Sequence, residues 1–131
     1  VQLAMLAFVA FVIYLIASGG GASGLAREVS VDEAYQMYQS GAFVLDVRTQ
    51  EEWDEGHIEG AVHIPVGHLP HLLDKVPKDK PVCTVCGVGS RSGLAASILL
   101  RADYGHVANV LGGMTAWRAR DFPVKSEQRE H

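Results

Sequence analysis

Past residue 26 the chain alternates between short apolar runs rich in β-branched residues and longer stretches whose apolar positions recur every three or four residues. The first pattern predicts strands and the second predicts helices. Ser30 and Glu33 fit a capping box, the hydroxyl accepting a backbone N–H and the carboxylate reaching back, so VDEAYQMYQS reads as a helix stopped near Gly41. Residues 42–47, AFVLDV, are apolar without strict alternation, as in a strand covered on both faces of a parallel sheet. Thr49 and Glu52 offer a second capping box, which opens the short helix QEEWDE before Gly56. The pattern then repeats, with a strand at 62–65 (VHIP), a helix over HLPHLLDKV, a strand at 81–85 (PVCTV), a long helix over SGLAASILLRADY and a strand at 107–111 (VANVL). Gly112 and Gly113 turn the chain into a last helix, MTAWRAR. Strands alternating with helices at this spacing define a layered α/β fold around a largely parallel sheet, and in such sheets sites form outside the carboxyl ends of the strands.

The start of the chain is different. Residues 3–17, LAMLAFVAFVIYLIA, are apolar all round, and with the preceding residues a helix there would reach about 25 Å, near the lower limit for a membrane span. A helix packed on a soluble domain would show a polar face. Residues 1–17 are therefore expected to be one apolar helix that anchors the chain in a membrane by a single pass, the alternative being an export signal cleaved to leave a periplasmic domain. Residues 18–26 contain SGGGASG and read as a flexible linker, 27–125 as one folded domain, and 126–131 as a polar tail expected to fray. The balance of 48% hydrophobic and 20% charged residues fits a domain with a real core. A net charge of -4 without a run of Lys or Arg gives no electrostatic footprint for nucleic acid, which is excluded as a partner.

The candidate chemistry lies in Cys86-Gly87-Val88-Gly89-Ser90-Arg91-Ser92, between the apolar strand PVCTV and a helix beginning near Ser92. A cysteine at that junction faces unpaired backbone N–H groups and the positive end of the helix, which favour its thiolate. Gly87 and Gly89 allow successive amides to curl into an anion-binding nest, and Arg91 adds a permanent cation with a planar fork of donors. A depressed thiol pKa, access and an anion cradle are what a sulfur nucleophile needs. Cys83 and Cys86 form a CxxC, but a redox pair of the thioredoxin type opens a helix, whereas Cys83 lies inside a predicted strand and belongs to the core. His63, His68 and His71 do not supply the compact second ligand pair that would turn the two cysteines into a zinc site, so no metal is expected.

Three stretches together resemble the rhodanese (thiosulfate sulfurtransferase) homology domain over nearly all of residues 27–125. They are LDVRTQEEWDEGHIEGAVHIP at 45–65, the loop C-x-x-G-x-R-S at 86–92, and LGGMTAWRARDFPV at 111–124. The resemblance implies a rhodanese-like fold, a five-stranded mainly parallel sheet with helices on both faces, preceded here by the apolar helix. It implies Cys86 as a persulfide-bearing nucleophile assisted by Arg91, with the loop residues Gly87, Val88, Gly89, Ser90 and Ser92 binding the outer sulfur. Asp46, Arg48, His57 and Gly60 fall to the structural framework, and a charge pair at the end of a strand, tying loops together, is also what Asp46 and Arg48 suggest by position. The implied reaction moves a sulfane sulfur from thiosulfate or a persulfide to a thiol or cyanide acceptor, with no metal or organic cofactor.

One departure bears on the donor. Many thiosulfate-using members carry a basic residue directly after the cysteine, whereas this loop has Gly87 and its one cation is Arg91. A doubly negative donor is then held less well, which points toward a persulfide. Two other readings compete: a membrane-tethered, non-catalytic sensing or binding module on the same scaffold, and a Cys-dependent phosphatase or arsenate reductase. Phosphatase loops place five residues between Cys and Arg, and here four intervene.

Overall fold

A computed structural model describes residues 26–126. The apolar segment 1–17 and the tail from 127 onward lie outside the described residues, as does all of the linker except Ala26. Among the described residues, no helix is long and apolar enough to cross a membrane. Five strands, β1 (Arg27–Val29), β2 (Phe43–Asp46), β3 (Val62–His63), β4 (Val82–Val85) and β5 (Val107–Val110), form one sheet in the order β1-β5-β4-β2-β3. Every strand pairing in it is parallel. The helices are α1 (Val31–Gln39), α2 (Gln50–Glu55), α3 (Ser90–Arg101) and α4 (Gly113–Ala119).

The central strand β4 is buried along its whole length between β2 and β5. Side chains alternate across a strand, so its residues divide between two cores. Cys83 and Val85 pack with Met37 of α1 and with Met114 and Trp117 of α4. Val82 and Cys86 pack on the other face with Ala95, Ala96 and Leu99 of α3. A spacing of three along the chain thus sends the two cysteines to opposite faces of the sheet, and both are free thiols.

Several sequence expectations need correction. The run HLPHLLDKV is not an α-helix but two 3-10 turns, Val66–His71 and Leu73–Lys75, because Pro70 offers no N–H and its ring blocks a continuous α-helical ladder. The bonds Leu72 N–H to Leu69 O and Val76 N–H to Leu73 O, each 3.0 Å, are of the tighter i to i−3 kind. The helix expected to begin near Ser92 starts at Ser90, with Gly89 at φ 117° before it. Ser30 accepts the Glu33 N–H at 3.1 Å as expected, but Glu33 does not reach back to complete the box and instead accepts from Arg27 at 2.8 Å. Strand β1, which pairs with β5, was not read from the residue pattern.

Candidate active site

Cys86 follows the last residue of β4, so the strand that runs through the middle of the sheet delivers its sulfur to the N-terminus of α3. The Gly89 N–H donates to Sγ at 3.0 Å, and the Ser92 hydroxyl lies 3.3 Å from it. Burial alone pushes the Cys86 thiol up. The Ser92 hydroxyl and the backbone amides of Ser92, Gly89 and Val88 outweigh it and hold the thiol below its ordinary value. The loop therefore stabilises a thiolate with amides, the arrangement of an anion-binding nest.

A second helix aims those amides. Met114 N–H donates to the Cys86 carbonyl at 2.7 Å and Thr115 N–H to the Gly87 carbonyl at 3.1 Å. The first turn of α4 thereby satisfies the loop's carbonyls and leaves the next amides free to face the sulfur. This contact requires Gly113, since a Cβ there would overlap the Cys86 carbonyl oxygen and stand 2.8 Å from the Gly87 backbone. At φ 53° a side chain is disfavoured on conformational grounds as well. The glycine pair read from sequence as a turn is a packing surface for the loop.

Beneath the sulfur, Ser92 is fully buried, and its hydroxyl lies 2.5 Å from Asn109 Oδ1 and 3.1 Å from the Gly89 carbonyl. Asn109 also donates to the Gly89 carbonyl at 3.3 Å. Sequence reading missed Asn109. Its signal was a polar residue inside the apolar run VANVL, in register with Thr84 of β4, whose own hydroxyl donates to the Ser92 carbonyl at 3.0 Å.

Arg91 departs from its expected posture. Its two terminal nitrogens donate to the carboxylate of Glu52 at 2.6 and 2.9 Å, so the fork is occupied by a residue of α2. Pairing with Arg91 is the main reason the Glu52 carboxyl falls to about 2. Glu52 also closes the expected capping box, accepting the Thr49 N–H at 3.2 Å while Thr49 accepts the Glu52 N–H at 3.2 Å. One residue thus begins a helix and holds the loop cation.

Access also differs from expectation, since Cys86 is 0% exposed. The cover is thin: Gly87 and Gly89 are partly exposed, and Val88 between them is 67% exposed. Ser90 is exposed at the start of α3. Cys83, by contrast, is buried against Met37, its Sγ 3.6 Å from the methionine sulfur, and desolvation pushes its thiol up to about 12.

The framework residues behave as their positions suggested. Asp46, fully buried, takes three hydrogen bonds from the Arg48 guanidinium at 2.8 to 3.1 Å, and Arg48 also donates to the carbonyls of Glu52 and Gly56. That network fixes α2, and hence Glu52, against the end of β2. The His57 ring stacks on Trp53 at 3.6 Å between centroids, and its backbone pairs with Lys125. Gly60 holds a φ of 86° in the turn before β3.

Comparison with known proteins agrees with this geometry. A family model described as "Rhodanese-like domain" matches residues 30–120. A protein of Allochromatium vinosum named "Sulfurtransferase" is 35% identical over 81 residues, 62% of this chain and 76% of its own length. Thiosulfate sulfurtransferase 18 of Arabidopsis thaliana is 36% identical over 117 residues, covering 78% of this chain and 85% of that one. Among solved structures, a rhodanese-related protein of Thermoplasma volcanium superposes with a TM-score of 0.71 at 29% identity, over 77% of this chain and 99% of its own. With a parallel five-stranded sheet, a cysteine loop at the carboxyl end of its central strand and these relatives, the chain belongs to the rhodanese-like domain family.

Proposed function

We propose that this protein is a sulfurtransferase that carries a sulfane sulfur as a persulfide on Cys86. The names of the two relatives, one of them a thiosulfate sulfurtransferase, support the class. The observation that carries the reading is the surroundings of one sulfur: at the N-terminus of α3 the Gly89 N–H donates to Cys86 Sγ at 3.0 Å and the Ser92 hydroxyl lies 3.3 Å from it. In the first half-reaction the thiolate attacks the outer sulfur of a donor and the bond to the rest of the donor breaks, releasing sulfite from thiosulfate or a thiolate from a persulfide. Cys86 keeps the transferred sulfur and its negative charge, which moves outward by one atom into the nest of amides. In the second half-reaction a thiol or cyanide takes that sulfur and the Cys86 thiolate returns.

Two half-reactions joined by a covalent intermediate predict ping-pong kinetics. Initial rates measured against thiosulfate at several fixed cyanide concentrations are expected to give parallel double-reciprocal lines, and Cys86→Ser is expected to give no rate. Intersecting lines, or turnover by Cys86→Ser, would overturn the persulfide mechanism. The phosphatase reading is weaker, because four residues between Cys86 and Arg91 enclose a smaller ring than a tetrahedral oxyanion needs, and the Arg91 fork is already on Glu52. Residues 1–17 are proposed to hold the domain at a membrane. Cell fractionation of the full chain against one lacking residues 1–23 tests this, the shortened chain being expected in the soluble fraction with its activity intact.

A further inference from the structure

The ion pair between Arg91 and Glu52 is the charged feature of the loop that the sulfur chemistry leaves unexplained. It stands beside the residue that follows the nucleophile: a Cβ at Gly87 would lie 3.3 Å from Arg91 Nη2 and 3.5 Å from Glu52 Oε2. The one cation of the loop is therefore offset by a carboxylate at hydrogen-bond distance. Close to the loop, two exposed apolar side chains face solvent, Val88 at 67% and Leu111 at 45%. Leu111 precedes Gly112, whose N lies 3.6 Å from the place a Gly89 Cβ would take.

Resting on the sulfur-transfer reading, we infer that Glu52 is the specificity-determining residue for the donor. By occupying Arg91 it leaves a loop that takes organic sulfane donors, persulfides foremost, in preference to thiosulfate. An organic persulfide carries its single negative charge on the sulfur to be transferred, and that charge enters the amide nest. Its carbon portion meets Val88 and Leu111. Thiosulfate brings a second charge on the sulfonate end, for which the neutralised Arg91 offers little. Both donors react alike: the thiolate bonds to the terminal sulfur, the bond behind it breaks, and a thiolate or sulfite leaves with the electron pair.

The test compares thiosulfate, a dianion, with benzenethiosulfonate, an organic monoanion that gives up its sulfur in the same way and releases a sulfinate. The variant is Glu52→Gln, which keeps the capping box because Gln fills that position as well as Glu. Removing the carboxylate is expected to raise the ratio of kcat/KM for thiosulfate over benzenethiosulfonate by roughly fivefold at low salt, as one freed cation at several ångströms would give, and the gain should shrink at high ionic strength. Arg91→Gln strands the carboxylate and is expected to move the ratio the other way, while Glu52→Gln combined with Arg91→Gln should lose the Glu52→Gln gain. Val88→Ser should lower kcat/KM for benzenethiosulfonate more than for thiosulfate.

A ratio that stays flat in both single variants overturns the inference. So does an equal rise for both donors in Glu52→Gln, since that would mark the ion pair as a mechanical latch over a covered sulfur. Those two outcomes, with a wild-type protein that transfers sulfur, sink only the role of Glu52. A wild-type protein that takes sulfur from neither donor sinks the sulfur-transfer reading as well.

Discussion

Two cysteines three residues apart, one inside β4 and one just past its end, have opposite chemical fates. Cys83 lies on the face covered by α1 and α4, meets Met37, and has its thiol pushed up to about 12 by desolvation. Cys86 is equally inaccessible to solvent but lies under a thinner cover, and its thiol is held below the ordinary value. Depth below the surface is one part of the difference. The other part is the state of the backbone around each: the amides of β4 are used by the sheet ladder, whereas the Gly89 N–H just before α3 donates to Cys86 Sγ at 3.0 Å. Parity decides the rest, because an odd step along a strand changes face.

The comparison can be broken by spoiling the nest without touching the sulfur. Gly113→Ala puts a methyl group into the Cys86 carbonyl, so the loop must move, and the cost is expected to be about 1–3 kcal/mol of stability with sulfur transfer reduced at least about tenfold. Thermal melting and steady-state rates check both. A variant with unchanged stability and rate would mean that α4 does not aim the loop.

A smaller and more specific change is Ser92→Ala, which removes the hydroxyl 3.3 Å from Sγ, a contact that lowers the Cys86 thiol, while Gly89 remains. Its sign is fixed: a contact that favours the thiolate has been lost, so the Cys86 pKa rises toward, without reaching, the range of Cys83. In a pH profile of sulfur uptake the rate should climb with pH as the thiolate forms and level off above its pKa. The midpoint should lie below that of an ordinary thiol in the wild type and move upward in Ser92→Ala. A midpoint that stays put, or moves down, would remove Ser92 from the account of the thiolate. The mildest change is Cys83→Ala, expected to cost about 1 kcal/mol through lost packing against Met37 while leaving sulfur transfer almost unchanged. Urea unfolding followed by an activity assay measures the two separately.

The residues that sequence reading placed correctly are those whose role is local. The Thr49–Glu52 box, the strand that ends just before Cys86, the core position of Cys83 and the Asp46–Arg48 pair depend on neighbours within a few positions. The misses depend on partners far along the chain. Strand β1 is three residues long and is recognisable only by its pairing with β5, about 80 positions later. Glu52 reads from the sequence as a cap, and nothing near it announces Arg91, 39 residues away. Asn109 and Gly113 serve the loop across the sheet and across a helix end, and no periodicity encodes either contact. Pro70 is the exception, a local signal that should have stopped the helix drawn over HLPHLLDKV.

The difference between the two thiols is most directly tested by intact-mass and peptide mass spectrometry of the wild-type protein after incubation with thiosulfate or an organic persulfide. The expected result is a gain of one sulfur atom, located on Cys86 by fragmentation of its peptide, removed by cyanide, absent from Cys86→Ser and retained in Cys83→Ala. Added sulfur on Cys83, or none on either cysteine with both donors, would contradict it.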